Sequence, residues 1–330
     1  MTNNTTEPSK FKSYFINPDT NIIRTGWRVL ISILLLAGLT MGFAMGLREI
    51  LGGLPKTSNW QYVVRVVPAT VAVFLAIKYL DKEKFSSLGL KLNKAALLDC
   101  LSGIAIGGVI MAFMFFALLG IGAIEFNGFV WWSDSEQATA TLTTAGLGVA
   151  VIVFLQFVAV SWSEELLFRG YLMQTMMRGM GLKWGVIISS VLFGFAHAGN
   201  PDATMVTNIF IILIALQIVY AYLKTGSLWL PLGLHLGWNF FQASIFGFAS
   251  SGQASPAMIS QTAVGPTWIS GGPFGAEASY LIIPVTFASL WLIHWSTKKI
   301  HGTSDNLMDF NYGDTAKSPS SAPANYTVSN

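Results

Sequence analysis

Long apolar stretches separated by short polar segments make up most of this sequence. A helix needs roughly 20 apolar residues to cross the hydrocarbon core of a bilayer, and stretches of about that length recur along the chain. They lie at residues 27–47, 63–80, 95–124, 145–170, 184–198, 205–223, 228–248 and 280–295. The pattern therefore predicts an all-α fold, a polytopic transmembrane bundle of about eight helices.

The composition indicates a membrane protein and limits the kinds of site that the chain can form. Hydrophobic residues make up 53% of the chain, charged residues make up 11%, and the mean hydropathy is +0.56. These values exclude an ordinary soluble domain. Cys100 is the only cysteine, which excludes an internal disulfide and a cysteine-based metal site. We expect the lipid bilayer as a partner and no nucleic acid.

The distribution of basic residues predicts the orientation. All of the 19 lysines and arginines except Arg48, Lys56 and Arg65 fall on one side of an eight-helix arrangement. Because cytoplasmic loops of membrane proteins carry an excess of these residues, we expect a multi-pass protein of the cell membrane with both termini in the cytoplasm. Arg65 and Gln217, which lie in apolar stretches without a motif, are interpreted as interhelical hydrogen-bonding residues.

Changes in composition divide the chain into six segments, of which the two ends are polar and are expected to be flexible. The segments are a flexible cytoplasmic N-terminus (1–23), the first three transmembrane helices with their loops (24–144), a transmembrane core that carries the motifs (145–248), an extracytoplasmic loop rich in Gly, Ser and Pro (249–278), the last transmembrane helix (279–300) and a disordered cytoplasmic tail (301–330).

The stretch SWSEELLFRG places two carboxylates and an arginine at the end of an apolar run. Ionisable groups at such a depth are costly and usually functional. On a helix, Glu165 and Arg169 lie on one face at i, i+4, so they can pair and reduce the cost of burying either charge. Glu164 then remains for a cavity, where a desolvated carboxylate beside a like charge can serve as a general base.

Two further motifs, FGFAH and HLGWN, place His197, His235 and Asn239 on apolar helices, with Phe193 packing under His197. Counted from a turn at Gly181, Glu164 and His197 lie at the same height, roughly 25 Å from the turn at 1.5 Å per residue. His235 and Asn239 lie only roughly 14 to 20 Å along their helix from the next turn, at Gly226. The sequence leaves this difference in height open.

In this order, EELLFR, FGFAH and HLGWN resemble the three motifs of the CPBP family of intramembrane proteases. That family includes the endopeptidases that trim prenylated CaaX proteins and the bacterial Abi, or bacteriocin self-immunity, proteins. The resemblance covers about the third of the chain from Ala145 to Phe248. It implies that Glu164 and His197 activate a water and that Glu165 and Arg169 support the site. It also implies that His235 and Asn239 hold the oxyanion of a tetrahedral intermediate, as developing negative charge requires.

The sequence thus predicts an intramembrane endopeptidase that cleaves near the cytoplasmic face, in a cavity open on the side of the turns at Gly181 and Gly226. We expect a peptide or membrane-protein substrate, including a lipidated one, and no cofactor. A zinc site of Glu164, His197 and His235 is the alternative, because carboxylate and imidazole are zinc ligands and the family has been called metalloprotease. Two other functions remain open: a catalytically silent immunity or scaffold protein, and a proton-coupled transporter.

Overall fold

The computed structural model describes residues 10–18, 20–53, 60–133 and 143–302 and consists mainly of helices. The N-terminal part contains α1 (Lys10–Phe15), α2 (Thr25–Ile50), α3 (Trp60–Leu75) and α4 (Lys94–Gly120). The motif-bearing part contains α5 (Thr144–Glu165), α6 (Gln174–Met180), α7 (Leu182–Ala196), α8 (Met205–Thr225) and α9 (Trp229–Asn239), and α10 (Thr267–Ser270) and α11 (Ile282–His301) follow.

Three of these helices continue in wider π-helical turns. They are Ala76–Leu80 after α3, Leu166–Met173 between α5 and α6, and Phe240–Ile245 after α9. Such turns are frequent at functional sites: Leu166–Met173 contains part of the first motif, and Phe240–Ile245 directly follows the third. The segment Thr144–Met180 is thereby one continuous helical rod of 37 residues.

A helix occupies each of the eight predicted spans, which confirms the polytopic helical bundle. Within the described ranges, five helices are long and apolar enough to cross a membrane: Thr25–Ile50, Trp60–Leu80, Lys94–Gly120, Thr144–Met180 and Met205–Thr225. Local sequence signals fix several ends. The side chain of Asn93 accepts a hydrogen bond from the backbone N–H of Ala96 at the start of α4, and Thr204 forms a capping box with Thr207 at the start of α8.

The structure corrects the sequence prediction in three places. Residues 10–18 and 20–23, expected to be flexible, contain α1 and a small hairpin of β1 (Ile16–Asn17) and β2 (Ile22–Ile23). The third span ends at Gly120, because the chain turns there into β3 (Ile124–Phe129). The predicted loop 249–278 contains β4 (Ile259–Ala263), which pairs antiparallel with β3. Residues 303–330, most of the predicted tail, lie outside the described residues.

The helices α4 and α9 pack in direct backbone contact. Gly103 and Gly107 of α4 face Gly233 and Gly237 of α9, and a Cβ atom at any of the four would run into the backbone of the other helix. Glycines four residues apart let two membrane helices approach to backbone contact. This contact fixes the position of α9, which carries the third motif.

The structure also resolves the difference in height between the motifs. Leu228, just before α9, lies beside Gly170, which is eleven residues before Gly181. At 1.5 Å per residue, the turn at Gly226 therefore lies roughly 16 Å further into the bundle than the turn at Gly181. This offset brings the third motif towards the other two, and the Nε2 atoms of His197 and His235 lie 3.8 and 3.9 Å from Glu164 Oε2.

Candidate active site

Glu165 lies at the centre of a buried ionic network. Its Oε1 atom accepts a hydrogen bond from Arg169 Nη1 at 2.8 Å and a second from His235 Nδ1 at 2.7 Å. The Glu165 side chain is 0% exposed and that of Arg169 is 1% exposed. The predicted i, i+4 pair is therefore confirmed, and it also holds the histidine of the third motif.

Glu164 points away from this pair and into a cavity, as expected from its position about 100° round the helix. Its Oε1 atom accepts a hydrogen bond from Arg65 Nη1 at 2.9 Å. Its Oε2 atom is buried and has no hydrogen-bond partner within the described part of the chain. That atom lies 3.8 Å from His197 Nε2 and 3.9 Å from His235 Nε2.

Both histidines use their other ring nitrogen to hold their orientation. His197 Nδ1 lies 2.8 Å from the carbonyl oxygen of Phe193, and a carbonyl can only accept, so Nδ1 carries a proton. His235 Nδ1 faces the Glu165 carboxylate in the same way. In a neutral His197 ring the Nε2 atom therefore presents a lone pair towards Glu164 Oε2, whereas His235 Nε2 can accept or donate according to the protonation of its ring.

Phe193 provides the aromatic surface on which the charged groups pack. Its ring centroid lies 4.7 Å from that of His197 and 6.1 Å from that of His235. The Arg169 guanidinium lies over the same ring at 4.2 Å, a distance at which a cation is attracted to an aromatic face. The prediction that Phe193 packs under His197 is confirmed, and its role extends to both histidines.

Asn239 borders the cavity at one helical turn from His235. Its Oδ1 atom lies 3.4 Å from Ser250 Oγ, and a hydroxyl can donate to this oxygen. Ser250 belongs to the segment 249–278, which folds back into the bundle instead of remaining outside it. Because its oxygen is engaged by Ser250, the amide nitrogen of Asn239 can donate a hydrogen bond to a group in the cavity.

Glu277 is a third carboxylate at the site. Its Oε2 atom accepts hydrogen bonds from the backbone N–H and the hydroxyl of Ser251 at 2.7 and 2.9 Å. Burial raises the pKa of the Glu277 carboxyl, while the Ser251 bonds and the charges of His197 and His235 act in the opposite direction. Glu277 therefore links segment 249–278 electrostatically to the two histidines.

The cavity that these residues line has a volume of about 430 Å³. The exposed residues of its lining, which form its rim, are Gln61 and Arg65 of α3, Ala196 at the end of α7, and Gln253 and Ala254. These residues lie at the end of the bundle away from the turns at Gly181 and Gly226, since α7 leads from the first turn to the rim. The expectation that the cavity opens beside those turns is therefore corrected.

The ligand geometry does not favour the zinc alternative. Across the described residues, no three or more His, Cys, Asp or Glu side chains are grouped so that they could hold a metal ion. Glu164, His197 and His235 face one another, but their atoms are 3.8 to 3.9 Å apart. Ligands about 2.0 to 2.1 Å from a tetrahedral zinc lie closer together than this.

The structure brings the six predicted motif residues together and adds Arg65 and Glu277, which sequence reasoning did not place at the site. The interpretation of Arg65 as an interhelical hydrogen-bonding residue is confirmed, and its partner is the motif residue Glu164. An isolated arginine in an apolar run signals a buried partner, but the sequence does not identify that partner. Gln217 also bonds between helices, to Thr286 Oγ1 at 3.2 Å.

A comparison with protein-family models identifies the motif-bearing segment. Residues 144–241 match the model described as type II CAAX prenyl endopeptidase Rce1-like. This segment is therefore similar to the Rce1-like family. The Rce1-like segment begins with the first residue of α5 and ends just after α9, so it contains all three motifs, while Arg65 and Glu277 lie outside it.

The match confirms the family resemblance carried by EELLFR, FGFAH and HLGWN, and the family is one of proteases that act on peptide or protein substrates. Together with the apolar helices, it supports a multi-pass membrane protein. Comparisons with curated proteins and with solved structures gave no match.

Proposed function

We propose that this protein is an intramembrane endopeptidase that hydrolyses a peptide bond with a water activated by Glu164 and His197. The observation that carries the proposal is the buried, unpartnered Oε2 atom of Glu164, 3.8 Å from the Nε2 lone pair of His197. Two acceptors at that separation do not bond each other. A water between them can donate one proton to each, which leaves its oxygen free to attack.

The reaction then follows from the remaining side chains. The water oxygen bonds to the carbonyl carbon of the substrate while its proton passes to Glu164. His235 Nε2 and the Asn239 amide donate to the resulting oxyanion, as preorganised donors do in acyl transfer. Collapse of this intermediate breaks the C–N bond, and the proton held by Glu164 passes to the leaving amine.

Glu165 and Arg169 support this chemistry without touching the substrate. Donation from His235 Nε2 requires the doubly protonated imidazolium, because Nδ1 is already engaged with Glu165. The Glu165 carboxylate balances the positive charge of that ring. Arg169 fixes the carboxylate in turn through its 2.8 Å bond, so the buried pair positions the oxyanion donor.

We propose that the reaction is metal-free, in line with the ligand geometry described above. The purified protein is then expected to carry no stoichiometric zinc, and prolonged chelation should leave its activity unchanged. Elemental analysis and an activity assay after chelation measure this. One tightly held metal per chain, lost together with activity in His235→Ala, would overturn the metal-free mechanism.

The substrate is proposed to be a peptide or membrane protein, including a lipidated one, since the Rce1-like segment is related to prenyl endopeptidases. Cleavage near the cytoplasmic face remains a prediction from the sequence. It is in tension with the predicted orientation, because the rim of the cavity lies at the end of the bundle away from the lysine-rich turns. If those turns are cytoplasmic, the cavity opens on the other side.

Two other functions make different predictions. A silent immunity or scaffold protein would keep the fold without turnover, and a proton-coupled transporter would use Glu164 and the histidines as a relay. The convergence of Asn239 on the same cavity favours hydrolysis, because a proton relay needs no oxyanion donor.

Proteomics of membranes from cells that express either the wild type or Glu164→Gln tests the proposal. New peptide termini are expected with the wild type and with the control Glu125→Gln, which changes an exposed carboxylate on β3. They are expected to be absent with Glu164→Gln at equal expression, because the glutamine side chain has nearly the volume of glutamate but cannot act as a general base. If the wild type and Glu164→Gln gave identical peptide termini, the proposed role of Glu164 would be wrong.

A further inference from the structure

The catalytic carboxylate is held by an arginine that none of the three motifs contains. Arg65 lies in the second turn of α3, and its Nη1 atom is 2.9 Å from Glu164 Oε1. Its side chain is 48% exposed, whereas Arg169 is 1% exposed. The site therefore has one buried guanidinium that fixes Glu165 and one guanidinium at the rim that contacts Glu164.

The two oxygens of Glu164 have different surroundings because of this contact. Oε1 is bonded to Arg65, and Oε2 faces the two histidine Nε2 atoms. Rotation of the carboxylate about its last bond is broad and roughly two-fold, so an unbonded carboxylate would sample many orientations. The bond from Arg65 selects the orientation in which Oε2 faces the space for a water.

Arg65 also gives Glu164 a positively charged partner of its own. Glu164 and Glu165 contribute two negative charges at the site, and Arg169 supplies one positive charge within the motifs. Arg65 supplies the second. An opposite charge in contact with a carboxylate favours its charged form, so Arg65 favours the ionised form of Glu164 that a base requires.

Arg65 also lies where two cavities meet. Besides the catalytic cavity, a groove of about 300 Å³ runs between α2, α3 and α5 and is lined by Leu36, Thr40 and Ala69 among others. Arg65, Gln61 and Glu164 line both spaces. The ion pair thus lies between the apolar groove and the space that Glu164 Oε2 faces.

We propose that Arg65 is a positioning residue for the reaction: it holds Glu164 through Oε1 so that Oε2 faces the attacking water. This inference rests on the proposed function. It predicts that loss of the guanidinium reduces kcat and leaves KM unchanged, because the contact is with the enzyme and not with the substrate. An arginine that anchored a free carboxylate of the substrate would act on KM instead.

The test uses a prenylated CAAX-type peptide with a fluorophore and a quencher on either side of the scissile bond. Arg65→Ala is expected to lower kcat roughly 100-fold, the loss typical of a misplaced catalytic group. Guanidinium chloride at tens of millimolar should raise the kcat of Arg65→Ala at least roughly tenfold. Sodium chloride at equal ionic strength should leave this kcat unchanged. Arg65→Lys should lie between the wild type and Arg65→Ala.

Arg48→Ala, which removes an exposed charge from the last turn of α2, is the matched control and should behave as the wild type. An Arg65→Ala enzyme with unchanged kcat would overturn the proposal. So would a KM increase confined to the peptide with a free C-terminal carboxylate and absent from its amidated form, since that result would identify Arg65 as a substrate anchor.

A second measurement does not depend on turnover. Thermal midpoints of Arg65→Ala, Glu164→Gln and the double variant should be non-additive, because both single changes remove the same ion pair. If no variant and no wild-type protein cleaves any peptide, the proposed function fails, while this cycle still reports whether Arg65 holds Glu164. Additive shifts would overturn the positioning role.

Discussion

At the scale of single residues, the site combines four charged groups that would each be costly alone in a membrane. The two carboxylates and two guanidiniums of the first motif and α3 are arranged so that each carboxylate has its own arginine. Glu165 with Arg169 is fully desolvated and Glu164 with Arg65 lies at the rim. A buried pair is valuable mainly because it fixes geometry, and here it fixes His235.

This geometry predicts that Arg169→Lys is not a conservative change. The arginine donates to Glu165 Oε1 and to the carbonyl oxygen of Ala215 at 3.2 Å, and an ammonium cannot reproduce this fork. We expect a loss of about 1.5 to 3 kcal/mol, the value of a hydrogen bond to a charged group, together with a loss of activity. Thermal unfolding and turnover measure this.

Arg48→Lys, at an exposed position, is the control and should shift stability by less than about 0.5 kcal/mol. Wild-type stability and turnover in Arg169→Lys would show that the Glu165 pair does not support the site.

Glu277 leads to a prediction about pH. Burial raises the pKa of its carboxyl in the folded protein, so folding favours the protonated form. The corresponding stability is fully present below the ordinary pKa of 4.5 and is lost as pH rises through the raised value. Glu277→Gln should therefore flatten the fall of the thermal midpoint with rising pH, whereas the exposed control Glu125→Gln should not. Parallel curves for the wild type and Glu277→Gln would contradict this.

At the scale of elements, the position of α9 decides whether the third motif meets the first. Its register on α4 depends on the four glycines Gly103, Gly107, Gly233 and Gly237. A mismatch of one methyl group at such a contact forces two backbones apart, and both His235 and Asn239 lie on the helix that would move.

Gly237→Ala is accordingly expected to destabilise the protein by roughly 1 to 3 kcal/mol, as overpacking does, and to reduce activity. The added Cβ would meet the carbonyl oxygen of Ile104. Gly42→Ala on α2 is the matched control, because nothing lies within 4 Å of a Cβ at that position. Thermal unfolding and peptide cleavage would be compared, and equal effects of the two substitutions would mean that the α4–α9 contact does not fix the site.

At the scale of the whole molecule, the rim of the cavity and the lysine-rich turns lie at opposite ends of the bundle. If the positive-inside bias sets the orientation, the rim faces away from the cytoplasm. To measure this, Cys100 would be replaced by Ser, and single cysteines would be introduced as Ala254→Cys at the rim and Lys183→Cys at the turn after Gly181.

A membrane-impermeant thiol reagent added to each side of sealed vesicles should label Lys183→Cys from the cytoplasmic side and Ala254→Cys from the opposite side. The reverse pattern would show that the charge-based orientation is wrong and would support cleavage near the cytoplasmic face. Labelling of both positions from one side would contradict the arrangement of rim and turn described here.

The sequence by itself determined the features that depend on local periodicity. The apolar stretches specified the helices, because backbone groups in a bilayer must bond within their own segment. The i, i+4 spacing specified the Glu165–Arg169 pair. The rotation of roughly 100° between consecutive helix residues placed the Glu164 side chain on a different face from Glu165, towards the cavity. The order of the motifs also led to the family of the segment 144–241.

Only the tertiary structure decided which distant groups meet these residues. Arg65 precedes Glu164 by 99 positions, and Glu277 reaches the site because segment 249–278 folds back into the bundle. The relative positions of the helices along the bundle axis could not be predicted from the sequence. They depend on the glycine contact between α4 and α9 and on the offset of the turns at Gly181 and Gly226. Periodicity fixes the face of a helix on which a side chain lies, but packing between helices sets their offset and therefore what that side chain touches.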